Sequence, residues 1–231
     1  MPWPISHRTL LFAGLATAGL LVVVLVVIFL SPGRPVVKYQ PTDRNATAGE
    51  ISEWNFDADS VGKIPSGATI FSGNWEVRRE TDAPSSPNVL CQTGTASFPA
   101  LSLSDKVYTD VVVTTRFKPI SGRTDQAAGI IFRIQDKDNY YILRANALED
   151  NVNFYLYASG KRSSLKGSSA KVAANVWQEL RVEATGNHFR GFLNGQLVVE
   201  TTDESYTAGK VGLWTKADSI TCFDNIQVTA H

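Results

Sequence analysis

The chain has 231 residues and balances 22 basic against 22 acidic side chains, so no net field steers it toward nucleic acid. Of its three histidines, His7 and His231 lie near the ends, which argues against a histidine-rich metal centre and leaves any Ser-His-Asp triad only His188 as its base. Two cysteines, Cys91 and Cys222, are too few for a zinc site of their own.

Taken in order, the chain opens with a short leader, residues 1–9, expected on the cytoplasmic side. Leu10 to Leu30 then runs without a charge, and at ~1.5 Å per helical residue it is long enough for a ~30 Å hydrocarbon core. Small residues do not precede a cleavage point; Ile28, Phe29 and Leu30 close the run and Pro32 follows. The expectation is therefore one uncleaved transmembrane helix, a signal anchor, with a cleaved signal peptide as the alternative. Lysine and arginine counts on either side are nearly even, and the orientation rests on the short leader before a large globular portion. Residues 31–50, with prolines, glycines and polar residues, read as a linker.

Residues 51–231 show short strands with turn punctuation and no convincing helix, the pattern of an all-β sandwich or barrel. Twelve strands are predicted: 54–56, 75–78, 89–92, 107–119, 129–135, 140–145, 153–158, 177–184, 189–193, 197–201, 210–215 and 220–229. Asn194-Gly195 is the strongest hairpin signal, since both central positions of a type I′ turn need φ > 0. Lys161 to Lys171 reads as a basic, flexible hairpin tip.

The densest stretch is Gly129–Asn146, two strands joined by a tight turn at Lys137-Asp138. A two-residue loop sets Ile130 opposite Ala145 and Phe132 opposite Leu143, with Ile130, Phe132, Ile134, Tyr141, Leu143 and Ala145 on one apolar face. The other face carries Ile131, Arg133 and Gln135 against Tyr140, Ile142, Arg144 and Asn146. For Phe154 and Leu156 to join the apolar face, Asn153 must oppose Arg144, Tyr155 must oppose Ile142, and Tyr157 must oppose Tyr140. Arg133, Tyr140, Arg144, Asn153, Tyr155 and Tyr157 then form a three-strand shelf. Aromatic faces suit the C–H patches of sugars, and guanidinium and amide groups suit their hydroxyls; a plain solvent face rich in tyrosine is the alternative. Trp214 points away from the core residues Val211 and Leu213, toward either a ligand or a covering loop.

Several segments together resemble the concanavalin A-like lectin/glucanase jelly roll, in the branch with laminin-G-like modules and 3-keto-disaccharide hydrolase (glycoside hydrolase family 16-like) domains. They are Gly129-Ile-Ile-Phe-Arg, Asp136-Lys-Asp-Asn-Tyr-Tyr, Trp177-Gln-Glu-Leu-Arg-Val, Phe192-Leu-Asn-Gly, Gly209-Lys-Val-Gly-Leu-Trp and Phe223-Asp-Asn-Ile. The resemblance covers about residues 54–229. It implies two packed antiparallel sheets, one concave and typically ligand-binding, and a last strand that returns beside the first ones. That return would bring Cys222 to Cys91 in a disulfide; the residues alone allow either a bridge or two buried thiols.

Catalysis is poorly provided for. The nearest approach to the glucanases' carboxylate strand is Glu179-Leu-Arg-Val-Glu183, where the central arginine would depress a neighbouring carboxyl instead of keeping an acid protonated. Asp136, Asp138 and Asn139 make an oxygen-rich turn; hairpin chemistry explains them, with calcium as the secondary reading, because the glycine and glutamate of an EF-hand loop are missing. No catalytic or metal residues are assigned and no cofactor is expected. The reading is a single-pass, membrane-anchored extracytoplasmic module that binds carbohydrate or a cell-surface polymer without turning it over. The alternatives are a glycoside hydrolase or lyase of the keto-disaccharide type and a protein-binding adhesion scaffold.

Overall fold

A computed structural model describes residues 45–231. The leader, the Leu10–Leu30 span and linker residues 31–44 lie outside the described residues. Fifteen strands follow: β1 (Ile51–Trp54), β2 (Thr69–Ser72), β3 (Trp75–Arg79), β4 (Asn88–Gln92), β5 (Ala100–Ser102), β6 (Val111–Ser121), β7 (Ala127–Asp136) and β8 (Asn139–Asn146). The rest are β9 (Asn151–Ala158), β10 (Lys161–Ser169), β11 (Gln178–Thr185), β12 (His188–Leu193), β13 (Gln196–Thr202), β14 (Lys210–Trp214) and β15 (Ile220–Ala230). They pair antiparallel in two sheets, as expected. One sheet has eight strands in the order β13-β12-β11-β6-β15-β4-β3, with β1 added beside β15; the other has seven, ordered β10-β9-β8-β7-β14-β5-β2.

Period-two alternation builds the core between them. Val111, Val113 and Phe117 of β6 and Leu180, Val182 and Ala184 of β11 face inward from the first sheet. Ile130, Phe132, Tyr141, Leu143, Ala145, Phe154 and Leu156 answer from the second. Phe189 of β12 links the layers, meeting Phe132 edge-on at 5.1 Å and Phe154 at 6.2 Å. Residues 45–50 already lie against this sandwich: the Gly49 amide donates to the Ala230 carbonyl, and the Ala230 amide to the Glu50 carbonyl.

Most predicted strands recur within a few residues. The first is displaced, because Phe56 leaves the strand with φ 65° and is buried. Asn194 and Gly195 both take positive φ between β12 and β13, as the type I′ signal requires. The 161–171 stretch is a correction: Lys161–Ser169 forms strand β10 along β9. Its lysines and serines hid it because it is an edge strand, where charge discourages further pairing and only one side is held.

The β8–β9 register is the predicted one, with Tyr140 opposite Tyr157, Ile142 opposite Tyr155 and Arg144 opposite Asn153. The β7–β8 register is not. Asp136 faces Asn139 at the turn, but Phe132 faces Tyr141 and Ile130 faces Leu143, because Arg133, Ile134 and Gln135 stand against the single residue Tyr140. Arg133 carries the irregularity at φ 50°. Gly209 passes so close that a Cβ there would sit 2.4 Å from the Arg133 carbonyl carbon, so only glycine fits beside this bulge.

Cys91 and Cys222 face each other across β4 and β15 and are disulfide-bonded. The bridge is buried on the outer face of the eight-stranded sheet with Val89, against Trp177, Ile120 and Ala83. It closes a span of 131 residues. Replacing both cysteines by serine is expected to cost about 2–5 kcal/mol, the usual range for a native bridge, read as a lower denaturation midpoint of the full chain. An unchanged midpoint would show that the bridge stabilises nothing.

Candidate functional site

The outer face of the seven-stranded sheet, turned away from the core, is paved by a second apolar cluster containing Ala127, Ile131, Ile134, Ile142, Tyr140, Tyr155, Tyr157 and Trp214. This is the face on which the shelf was expected, and five of its residues are there: Tyr140, Arg144, Asn153, Tyr155 and Tyr157. Arg133 is not. Its bulge turns the side chain to the core side, where the guanidinium lies 5.1 Å from the Phe189 ring. It donates to the carbonyls of Tyr206 (2.9 Å), Thr109 (3.2 Å) and Gly186 (2.6 Å). Arg133 therefore ties loops together, and Ile134 takes the place on the outer face that strict alternation gave to it.

Trp214 is on the face but fully buried. Phe98, from the segment before β5, stacks on it at 5.8 Å, and Arg162 of β10 lies 5.7 Å from its ring. Trp214 and Tyr140 form the floor, not the contact surface. Burial above all, with Tyr157 beside it, pushes the Tyr140 phenol far above its ordinary pKa.

Arg144 is the polar centre. Its Nη2 is 2.6 Å from Glu149 Oε2 and 2.7 Å from Asn151 Oδ1, Nη1 is 3.9 Å from Asp125 Oδ1, and the guanidinium lies 5.4 Å from the Tyr155 ring. With its amide oxygen toward the guanidinium, Asn153 accepts from Arg144 Nη2 at 3.1 Å and from the Tyr155 hydroxyl at 3.0 Å. Asp125, itself buried, also accepts from Asn146 Nδ2 at 2.6 Å and Lys216 Nζ at 2.8 Å. Its loop is held by Asp218, whose carboxylate accepts from the backbone amides of Arg123, Thr124 and Asp125. Those amides, Arg123 first, hold the Asp218 carboxyl below its usual range. Burial opposes ionisation of Glu149, but the Asn151 amide and the Arg144 guanidinium outweigh it and set that carboxyl below the ordinary glutamate range.

At the other end of the face, Tyr140 and Tyr157 stack at 4.7 Å, and Phe98 meets Tyr157 edge-on at 5.5 Å. With Phe71, Lys137 and Asp138 they line a cleft of about 170 Å³. Arg162 divides the two ends, reaching in from edge strand β10 to lie 4.3 Å from the Tyr155 ring and 5.2 Å from that of Phe98.

Sequence reasoning missed Asp125, Glu149, Lys216, Phe98 and Arg162. One of these was readable: Ser159-Gly160 is a turn dipeptide, both residues take positive φ, and a two-residue hairpin there sets Arg162 opposite Tyr157, hence on the same face. The others come from loops that converge only through the sheet topology.

The Glu179/Glu183 pair stands apart from this face. Both lie on β11, in the other sheet, and Glu183 is bound by Arg181 and Arg190. At the Asp136 turn, the carboxylate accepts from the Asp138 amide (2.7 Å) and Asn139 Nδ2 (2.8 Å), which is hairpin chemistry. Among the described residues no cluster of three or more His, Cys, Asp or Glu is placed to hold a metal ion.

Two packed antiparallel sheets with this strand order define the concanavalin A-like class of sandwich domains. Within that class the chain belongs to the family of 3-keto-alpha-glucoside-1,2-lyase-like domains, whose sequence pattern matches residues 56–229. A levanase from Bacillus subtilis (strain 168) is 30% identical over 104 residues, which span 43% of this chain and 15% of the levanase. A carbohydrate-binding module from Bacillus subtilis superposes with TM-score 0.60 at 21% identity, over 71% of this chain and 96% of the module. A β-glucanase from Bacillus licheniformis superposes with TM-score 0.55 at 15% identity, over 80% of this chain and all of the enzyme, 100%. At these identities the two superpositions show the fold.

Arg144→Gln is expected to move the Glu149 titration upward, followed through its carboxyl carbon shift by NMR. A depressed carboxyl contributes stability above its unfolded pKa and loses it as pH falls through the folded pKa. The Arg144–Glu149 contact should therefore weaken only at pH values below the usual glutamate range. A titration unmoved by the substitution would assign the shift to Asn151 alone.

Proposed function

We propose that this protein is a lectin-like, carbohydrate-binding module whose ligand lies across the outer face of the seven-stranded sheet, and that it binds without turnover. The observation that carries this reading is the Arg144 constellation: one buried guanidinium fixed by Glu149, Asn151 and Asn153, with the Tyr155 ring beside it. Fixed hydrogen-bonding groups beside an aromatic ring match the mixed surface of a sugar, and groups already ordered lose little freedom on binding. Membership of a family named for a glucoside lyase, and likeness to a carbohydrate-binding module, support saccharide as the ligand class.

Binding is favoured over turnover by the state of the Glu149 carboxyl. Glu149 pairs with Arg144, which helps hold its carboxyl below the ordinary range, and a carboxylate kept ionised by a guanidinium is a poor general acid. The family name keeps one second reading in view, a lyase or hydrolase using Glu149 and Asp125.

The test is a glycan-array screen of the full chain in detergent micelles, followed by titration of the best saccharide. Tyr155→Ala and Arg144→Ala are expected to weaken binding tenfold or more, with circular dichroism confirming that both variants fold. Absence of saccharide binding, or binding indifferent to both substitutions, overturns the reading. Product release that disappears in Glu149→Gln or Asp125→Asn would establish the enzymatic alternative.

The proposal extends to location: residues 10–30 anchor the chain in a membrane and the sandwich stands outside the cytoplasm, where a disulfide persists. The full chain is then expected to stay with membranes through alkaline carbonate extraction and to expose its sandwich to protease only from the extracytoplasmic side. Release by carbonate would remove the anchor, and protection on that side would reverse the orientation.

A further inference from the structure

The outer face brings three cations and two carboxylates together at its polar end, and the pairing leaves one cation over. Glu149 pairs with Arg144 at 2.6 Å and Asp125 with Lys216 at 2.8 Å. Arg162 has no carboxylate within ion-pair distance, and among the described residues no side chain or carbonyl accepts a hydrogen bond from it. Its Nη1 is buried without a partner, and its guanidinium is held between Tyr155 at 4.3 Å and Phe98 at 5.2 Å, above Trp214. The rest of the side chain remains partly open to solvent. Strand β10 itself, Lys161–Ser169, adds two lysines and no acidic residue. A half-buried guanidinium with no direct ion pair is unusual, because more distant carboxylates, here Asp125 and Glu149, offset only part of its desolvation. Burial accordingly pulls the Arg162 pKa below its ordinary value, though it remains a cation. Since folding has already removed part of its water and the ring contacts have fixed its position, an incoming anion meets a pre-oriented fork.

We propose that the saccharide held on this face carries a carboxylate, as a uronic acid residue does, and that this group pairs with Arg162 while the sugar rings extend toward Arg144 and Tyr155. The proposal rests on the carbohydrate-binding reading and adds the charge class of the ligand. A planar carboxylate matches two N–H groups of a guanidinium at once, a match that a neutral hydroxyl does not make.

The experiment compares three oligosaccharides on the full chain in detergent: an oligouronate, the same oligomer with its carboxyl groups reduced to hydroxymethyl, and a sulfated neutral counterpart. Wild-type protein is expected to bind the oligouronate at least tenfold more tightly than its reduced form, with the preference shrinking as salt is raised. Arg162→Gln should bring the ratio of the two affinities close to one, and Arg162→Lys should restore part of it, with thermal melts of both variants checking the fold. Equal affinity for the charged and reduced oligomers overturns this proposal and leaves the carbohydrate reading standing. A preference for the sulfated oligomer overturns the carboxylate assignment, and a ratio unaffected by Arg162→Gln removes Arg162 from the recognition. Failure to bind any of the three, with no binder on the array, overturns both readings together.

Discussion

The pairing of β7, β8 and β9 governs the rest of the molecule, because side chains alternate and each strand commits half of its residues to the core. Phe132, Tyr141, Leu143, Phe154 and Leu156 are buried between the sheets, and Phe189 from the opposite sheet packs among them. Arg144, Asn153 and Tyr155 are thereby forced to the other side. A slip of one residue would push a guanidinium and an amide into the aromatic core and expel phenylalanines from it. Burying a phenylalanine side chain is worth roughly 1.5–3 kcal/mol, so the register is fixed by several such terms at once. The polar constellation is in this sense a by-product of the core: its geometry is rigid because the residues between its members cannot move.

The seven-stranded sheet is buried on both faces by different means. Inward, apolar side chains meet another sheet. Outward, Ile131, Ile134, Ile142 and Trp214 are covered by a thin layer, Phe98 and the arm of Arg162. A long side chain of this kind covers apolar surface with its stem while keeping a charged end near water. The face is therefore neither an open shelf nor a second core. Its floor is Trp214 and Tyr140, Tyr155 and Tyr157 are themselves mostly buried at 8% and 9% exposure, and its accessible rim is Asn153, Glu149 and Arg162.

The two buried arginines of the hairpin illustrate how differently one residue type is used. Arg133 donates to three backbone carbonyls and fixes loops at the sandwich edge. Arg144 meets carboxylate and amide side chains at the face. The first arrangement commits both terminal nitrogens to carbonyls within the fold, whereas the second organises groups that reach solvent. Arg162 is the remaining case, a cation held among aromatic rings, with Asp125 and Glu149 acting on it only from beyond ion-pair distance.

The all-β class, the hairpin turns at Lys137-Asp138 and Asn194-Gly195, and the β8–β9 register were legible in the sequence. Each depends on local chemistry or on period-two alternation within a few residues. The facing of Arg144, Asn153 and Tyr155 followed from the same alternation. The bulge at Arg133 was not legible, because it is set by Gly209, far along the chain, whose missing Cβ admits the strained backbone. Strand β10 was obscured by an edge composition that resembles a loop. The covering of Trp214 by Phe98, and the meeting of Asp125, Glu149 and Lys216 around Arg144, depend on which loops the strand order brings to one end of the sheet. The sequence by itself thus determined which residues alternate and where the chain turns, since those are short-range properties of backbone and side chain. Only the tertiary structure decided which charges are paired and which is left over, because electrostatic partners are chosen by distance in space.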